Sequence, residues 1–134
     1  MQPEAKFYKE LKKNIPSILW NRVENLSLLG MPDLLGYNKK QCFFTVELKV
    51  VKGNKIKFSP HQIAWHKTHP QNTFIMAKTL DPCSSKTSSI SLFHGSSIMA
   101  LARYGMKVDA CACGFPACAS MFDEVGLTLE NFGA

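Results

Sequence analysis

The chain has 134 residues, 46% of them apolar and 19% charged, and its lysines and arginines outnumber its acids enough for a net charge of +6. That size suits one compact domain with a genuine core, and a sequence pI near 9.1 suits a partner that carries phosphates. No stretch has the apolar length of a membrane span, and the opening MQPEAKFYKEL is no signal peptide. Five cysteines (Cys42, Cys83, Cys111, Cys113 and Cys118) then read as free thiols of an intracellular chain rather than as a disulfide framework.

The first element is an amphipathic helix over PEAKFYKELKKNIP. Pro3 suits its first turn, Phe7, Tyr8, Leu11 and Ile15 form an apolar stripe at helical spacing, and Pro16 ends it. Ser17 to Glu24 predicts a first strand and Pro32 to Tyr37 a second. Asn38-Lys39-Lys40 is a tight turn into a third strand, Cys42 to Val50. A basic loop, Val51 to Phe58, leads to SPHQ, with Ser59 as N-cap and Pro60 at the first helical position of a helix that Pro70 stops. Asn72 to Lys78 is a fourth strand, Asp81 to Ser89 an exposed loop, Ile90 to Phe93 a fifth strand and Ser96 to Tyr104 a short helix. The order predicts a mixed α/β domain with one central sheet flanked by helices, and no repeat or low-complexity tract interrupts it. From about Lys107 the texture changes: little periodicity appears until a final helix. Residues 1–106 form the expected domain, with 107–134 an extension packed on it or serving a subunit contact.

The third strand raises the chemical question. Phe44, Val46, Leu48 and Val50 share one face, and Glu47 and Lys49 stand together on the other, about 7 Å apart. An exposed salt bridge is one explanation of that pair. Asp33 offers another, because adjacent antiparallel strands can bring it beside Glu47, and two neighbouring carboxylates repel unless a cation sits between them. Mg²⁺ asks for one or two carboxylates, a carbonyl such as that of Leu48, and water; Mn²⁺ should substitute for it. Lys49 on the same face then suits orienting or deprotonating a water for attack on phosphorus. Glu4, in the first turn of the first helix, flanks the buried stripe and is the candidate to support this site, with Glu10 as the alternative.

GMPDLL, then ELK, then SPHQ, in this strand-helix order, resembles the PD-(D/E)xK nuclease superfamily, above all its VRR-NUC branch and the archaeal-type Holliday junction resolvases. The resemblance covers about residues 3 to 94 and implies a restriction-endonuclease-like αβββαβ core. It implies a site of Glu4, Asp33, Glu47, Lys49 and Gln62, and places Arg22 and Ser27 near the scissile strand. It also implies a homodimer, as does symmetric cutting of a four-way junction, which needs two active sites.

Lys52, Lys55 and Lys57 around Gly53-Asn54 are candidates for backbone phosphate contacts next to such a site. His61, His66 and His69 lack a carboxylate or cysteine at ligand spacing and read as surface or DNA-facing residues. Trp20 and Trp65 read as core or dimer-face aromatics. CACGFPAC, with Cys83 as a fourth ligand, does not match a standard zinc knuckle, and buried thiols are the simpler reading. The expected function is a Mg²⁺-dependent endonuclease selective for branched DNA, as a Holliday junction resolvase, of a size that suits phage or mobile-element recombination. Two alternatives stay open: a flap, fork or sequence-specific nuclease of the same superfamily, and a non-catalytic nucleic-acid-binding module.

Overall fold

The computed structural model describes residues 3–23, 30–80 and 88–126. Helix α1 (Pro3–Asn14) precedes an antiparallel run of β1 (Leu19–Arg22), β2 (Leu34–Tyr37) and β3 (Phe43–Lys52). Helix α2 (Pro60–Thr68) then crosses over to β4 (Thr73–Leu80), which lies parallel to β3. The chain continues through β5 (Ser88–His94), α3 (Ile98–Tyr104), β6 (Ala112–Cys113) and α4 (Phe115–Glu124). The six strands lie in one sheet in chain order, so the predicted mixed α/β class is the observed one. Among the described residues no helix is long and apolar enough to cross a membrane.

Helices cover both faces of the sheet. On one, Phe7 and Leu11 of α1 and Cys118 and Phe122 of α4 pack on Phe44, Val46, Leu48, Phe74 and Met76. On the other, Ile98 and Leu101 of α3 pack with Ile75, Ala77 and Phe93, and Ile63 of α2 joins them. Gly36 is needed here because a Cβ at that position would stand 2.5 Å from the Phe44 ring, which lies across it. The turn between β2 and β3 closes through Gln41 N–H donating to the Asn38 carbonyl, with Gln41 at φ 63°.

Several boundaries differ from expectation. β1 is shorter than Ser17 to Glu24, and Glu24 lies outside the described residues. β3 runs on to Lys52, since parallel pairing with β4 extends to Lys52 opposite Leu80. Ser88 and Ser89, expected in the exposed loop, are strand residues paired with Leu80 and Thr79; residues 81–87 lie outside the described residues. His66, expected at the surface, is fully buried, because it sits on the side of α2 that faces the sheet.

The weakly patterned C-terminal stretch enters the core. β6 pairs with β5, and the Phe122 ring of α4 stacks on Phe44 with centroids 4.8 Å apart. Trp20 meets both rings edge-on, so it is a core aromatic, and the buried Asn38 amide ties the turn to α4 by donating to the Phe122 carbonyl at 2.9 Å. Phe122→Ala should therefore cost about 3–5 kcal/mol of stability. Chemical denaturation measures this; a loss below about 1 kcal/mol would mean that α4 stands outside the cooperative core.

Candidate active site

The sheet opens at the middle of β3. β2 accompanies β3 only as far as Val46, opposite Leu34, and the chain before Leu34 turns away through the buried Pro32. The Leu48 N–H thus loses its strand partner, and Asp33 replaces it: Oδ2 accepts that N–H at 2.8 Å. A strand residue directs its N–H and C=O to the same side, so the Leu48 carbonyl faces this opened edge as well. The register that pairs Leu34 with Val46 also sets Asp33 next to Glu47, so two carboxylates face each other at the opened edge.

Glu47 is only 3% exposed, because β3 is a central strand and α2 lies over its second face. The explanation by an exposed salt bridge fails on that burial. It fails also on geometry, since Gln62 stands between the two side chains. Its Nε2 donates to Glu47 Oε1 at 2.9 Å, and its Oε1 accepts from Lys49 Nζ at 3.1 Å. The same Oε1 accepts the Ser59 backbone N–H at 3.0 Å, while Ser59 Oγ accepts the Gln62 N–H at 3.1 Å. This is a capping box: the residues that start α2 also fix which way the Gln62 amide points, oxygen toward Lys49 and nitrogen toward Glu47. The Lys49 ammonium additionally lies 5.0 Å from the centre of the Phe58 ring. Gly30, at φ +85°, lets the chain leading to Asp33 press on the start of α2, where a Cβ would meet the His61 carbonyl oxygen at 2.2 Å.

Burial is the main force on Glu47 and holds its carboxyl well above the usual range. The Asp33 charge pushes the same way, and Lys49 opposes it. Glu4 sits at the exposed mouth of the site, its carboxyl raised by partial burial and then by Asp33, against Lys49 and Arg22. Glu10, the alternative helix carboxylate, pairs instead with Lys78 on β4. Glu4, Arg22, Lys49, Lys52, Lys55 and Lys57 border one groove of about 720 Å³, so five of the sequence-predicted cations and acids outside the β3 pair converge there with Lys49. Ser27 lies outside the described residues.

Glu47 Oε2 is buried with no hydrogen-bond partner, beside a second carboxylate. Such a place is short of positive charge, and its donors are hard oxygens of the kind Mg²⁺ or Mn²⁺ prefers. Among the described residues no three His, Cys, Asp or Glu side chains form a ligand group, so Asp33, Glu47 and the Leu48 carbonyl are the donors that fit, with Glu4 a neighbour at the rim.

Two features escaped sequence reasoning. Phe58, at the end of the basic loop, carries no local sign that its ring would meet Lys49. The buried His66 uses Nδ1 on the Gln62 carbonyl at 2.9 Å, and its burial holds it below the usual histidine range. The i, i+4 spacing of Gln62 and His66 was the available signal for this contact. His69 stays exposed, stacked on Trp65 at 4.0 Å. In the C-terminal stretch, burial and the neighbouring Cys111 and Cys113 push the Cys118 thiol up to about 12; Cys83 lies outside the described residues. No family model, no curated protein and no solved structure matches the chain.

Proposed function

We propose that the protein is a metal-dependent DNA endonuclease that selects branched DNA, acting on four-way junctions as a homodimeric resolvase of the PD-(D/E)xK kind. The observation that carries this reading is a pair of hydrogen-bonded sets on β3, Asp33 on the Leu48 N–H and Glu47–Gln62–Lys49, which put two carboxylates and a fixed ammonium at one opened strand edge. The element order from α1 to β4, with β3 and β4 parallel, supports it further.

Asp33, Glu47 and the Leu48 carbonyl would hold Mg²⁺, which supplies Lewis-acid polarisation of the phosphoryl oxygen when bound. Gln62 holds Glu47 in place and keeps the Lys49 ammonium turned into the groove. From there Lys49 orients the attacking water and offsets charge that builds on the phosphate. Lys52, Lys55 and Lys57, exposed along the same groove, take neighbouring backbone phosphates, and Arg22 borders it from β1. Nothing in this arrangement reads base edges, which suits recognition by backbone geometry and charge.

The test is cleavage of a labelled four-way junction beside a duplex of the same sequence, with Mg²⁺, Mn²⁺, Ca²⁺ or EDTA. Paired nicks confined to the junction with Mg²⁺ and Mn²⁺, and binding with poor cutting in Ca²⁺, are expected. Cutting of flaps, forks or duplex instead would keep the nuclease and discard the resolvase. Absence of cleavage on every DNA would leave a binding module.

A further inference from the structure

We infer that the groove beside the carboxylates seats an unpaired nucleotide of the substrate strand, with its base on an apolar floor and its phosphates on the surrounding lysines. The inference rests on the nuclease reading and adds to it a requirement on the substrate: a base outside the helical stack next to the cut.

The groove has two chemistries. Its border is cationic, five lysine and arginine side chains against the single carboxylate of Glu4, and that balance suits a strand with more than one phosphate. Its floor is apolar. Val51 and Ile56 are each 3% exposed and belong to the core of the other sheet face, while Val50 and the 39%-exposed Leu80 present hydrocarbon to the opening. Phosphate recognition alone gives no reason for hydrocarbon at that place, since a duplex offers only its sugar-phosphate surface and keeps its bases stacked inside. An unpaired base supplies the missing occupant: a flat apolar body joined to phosphates. The volume of about 720 Å³ is ample for one nucleotide and its flanking phosphates. Lys49 borders both this groove and the carboxylate network, so a nucleotide held there adjoins the phosphate to be cut.

Binding without metal separates this inference from the nuclease reading. Fluorescence anisotropy in EDTA would compare a short single-stranded oligonucleotide, the same oligonucleotide with consecutive abasic sites, a duplex and a free nucleoside monophosphate. The intact single strand should bind about tenfold tighter than the abasic strand, in the range a single base contact contributes. Leu80→Asn at the groove mouth, which removes the apolar contact without adding charge, should abolish that advantage and leave abasic binding unchanged, with Leu80→Ala intermediate. Lys52→Ala and Lys57→Ala should weaken both strands alike and flatten their salt dependence. Equal affinity for intact and abasic strands, tighter binding of duplex, or a nucleoside monophosphate that competes as well as the strand would each overturn the inference. A groove preference that holds in a protein that cuts no DNA would instead count against the nuclease reading.

Discussion

Lys49→Ala should lower single-turnover cleavage by about 10²–10⁴-fold, while the affinity for DNA in Ca²⁺ changes by only a few-fold. The substitution removes one of the five groove cations, so phosphate contacts persist through the others. It leaves Gln62 in place, because the Ser59 N–H and Glu47 still hold the amide at both ends. What disappears is the ammonium that Gln62 Oε1 and the Phe58 ring direct into the groove. Lys49→Arg should not restore activity, since a planar guanidinium cannot take the place of a compact ammonium between that amide and that ring. Asp33→Asn should be equally inactive for a different reason. Its amide oxygen can still accept the Leu48 N–H, but one of the two carboxylates is gone, and Ca²⁺ or Mn²⁺ affinity measured by calorimetry should fall with it. Undiminished turnover in either purified variant would sink the assignment.

Glu47→Gln should do two opposite things: abolish cleavage and, in EDTA, raise the stability of the fold. The wild-type carboxyl is buried beside Asp33 with one oxygen unpartnered, and its proton affinity is higher folded than unfolded. A carboxyl of that sort contributes stability below its unfolded value near 4.5 and loses it as pH rises toward the folded value. Relative to the variant, which shares every other titrating group, metal-free wild-type protein should accordingly melt at falling temperature from pH 5 upward. Glutamine keeps the acceptor for the Gln62 amide and offers Asp33 a permanent donor. The gain near pH 8 should be about 1–3 kcal/mol, the cost of an unsatisfied buried polar group. Mg²⁺ should raise the melting temperature of the wild type and leave that of Glu47→Gln unchanged. A variant less stable than wild type in EDTA would mean that Glu47 is already satisfied without a cation.

His66 acts on the same curve in the other direction. Its folded proton affinity is depressed by burial, so its contribution is present above the ordinary histidine range and is lost as pH falls through the folded value. Just below the ordinary histidine range the two slopes oppose each other, so His66 flattens the fall due to Glu47 there, and the full fall of the metal-free protein appears above that range.

Local signals in the sequence were enough for much of this molecule. Pro3, Pro16, the Ser59-Pro60 start and Pro70 bound the first two helices because caps and prolines act on their own neighbours. The alternation in β3 assigned Phe44, Val46 and Leu48 to one face and Glu47 and Lys49 to the other, since side chains alternate along any strand. The pairing of Asp33 with Glu47 was legible for a related reason: a short turn at Asn38 leaves few registers for the hairpin.

Contacts between distant segments decided the rest. That Glu47 is buried rather than half-wet follows from α2 lying over a central strand, and no property of ELK contains that neighbour. Glu4 and Glu10 occupy the same helix with the same chemistry; only the placement of α1 on the sheet brings one toward Asp33 and the other to Lys78. The periodicity of α4 is weak because it buries only Cys118 and Phe122, yet those two side chains meet a core assembled from residues some 80 positions earlier. Turns, caps and strand faces are short-range and can be read from a few neighbouring residues. Which carboxylate loses its water, and which ring covers a lysine, depends on surfaces that exist only once the sheet and helices have packed.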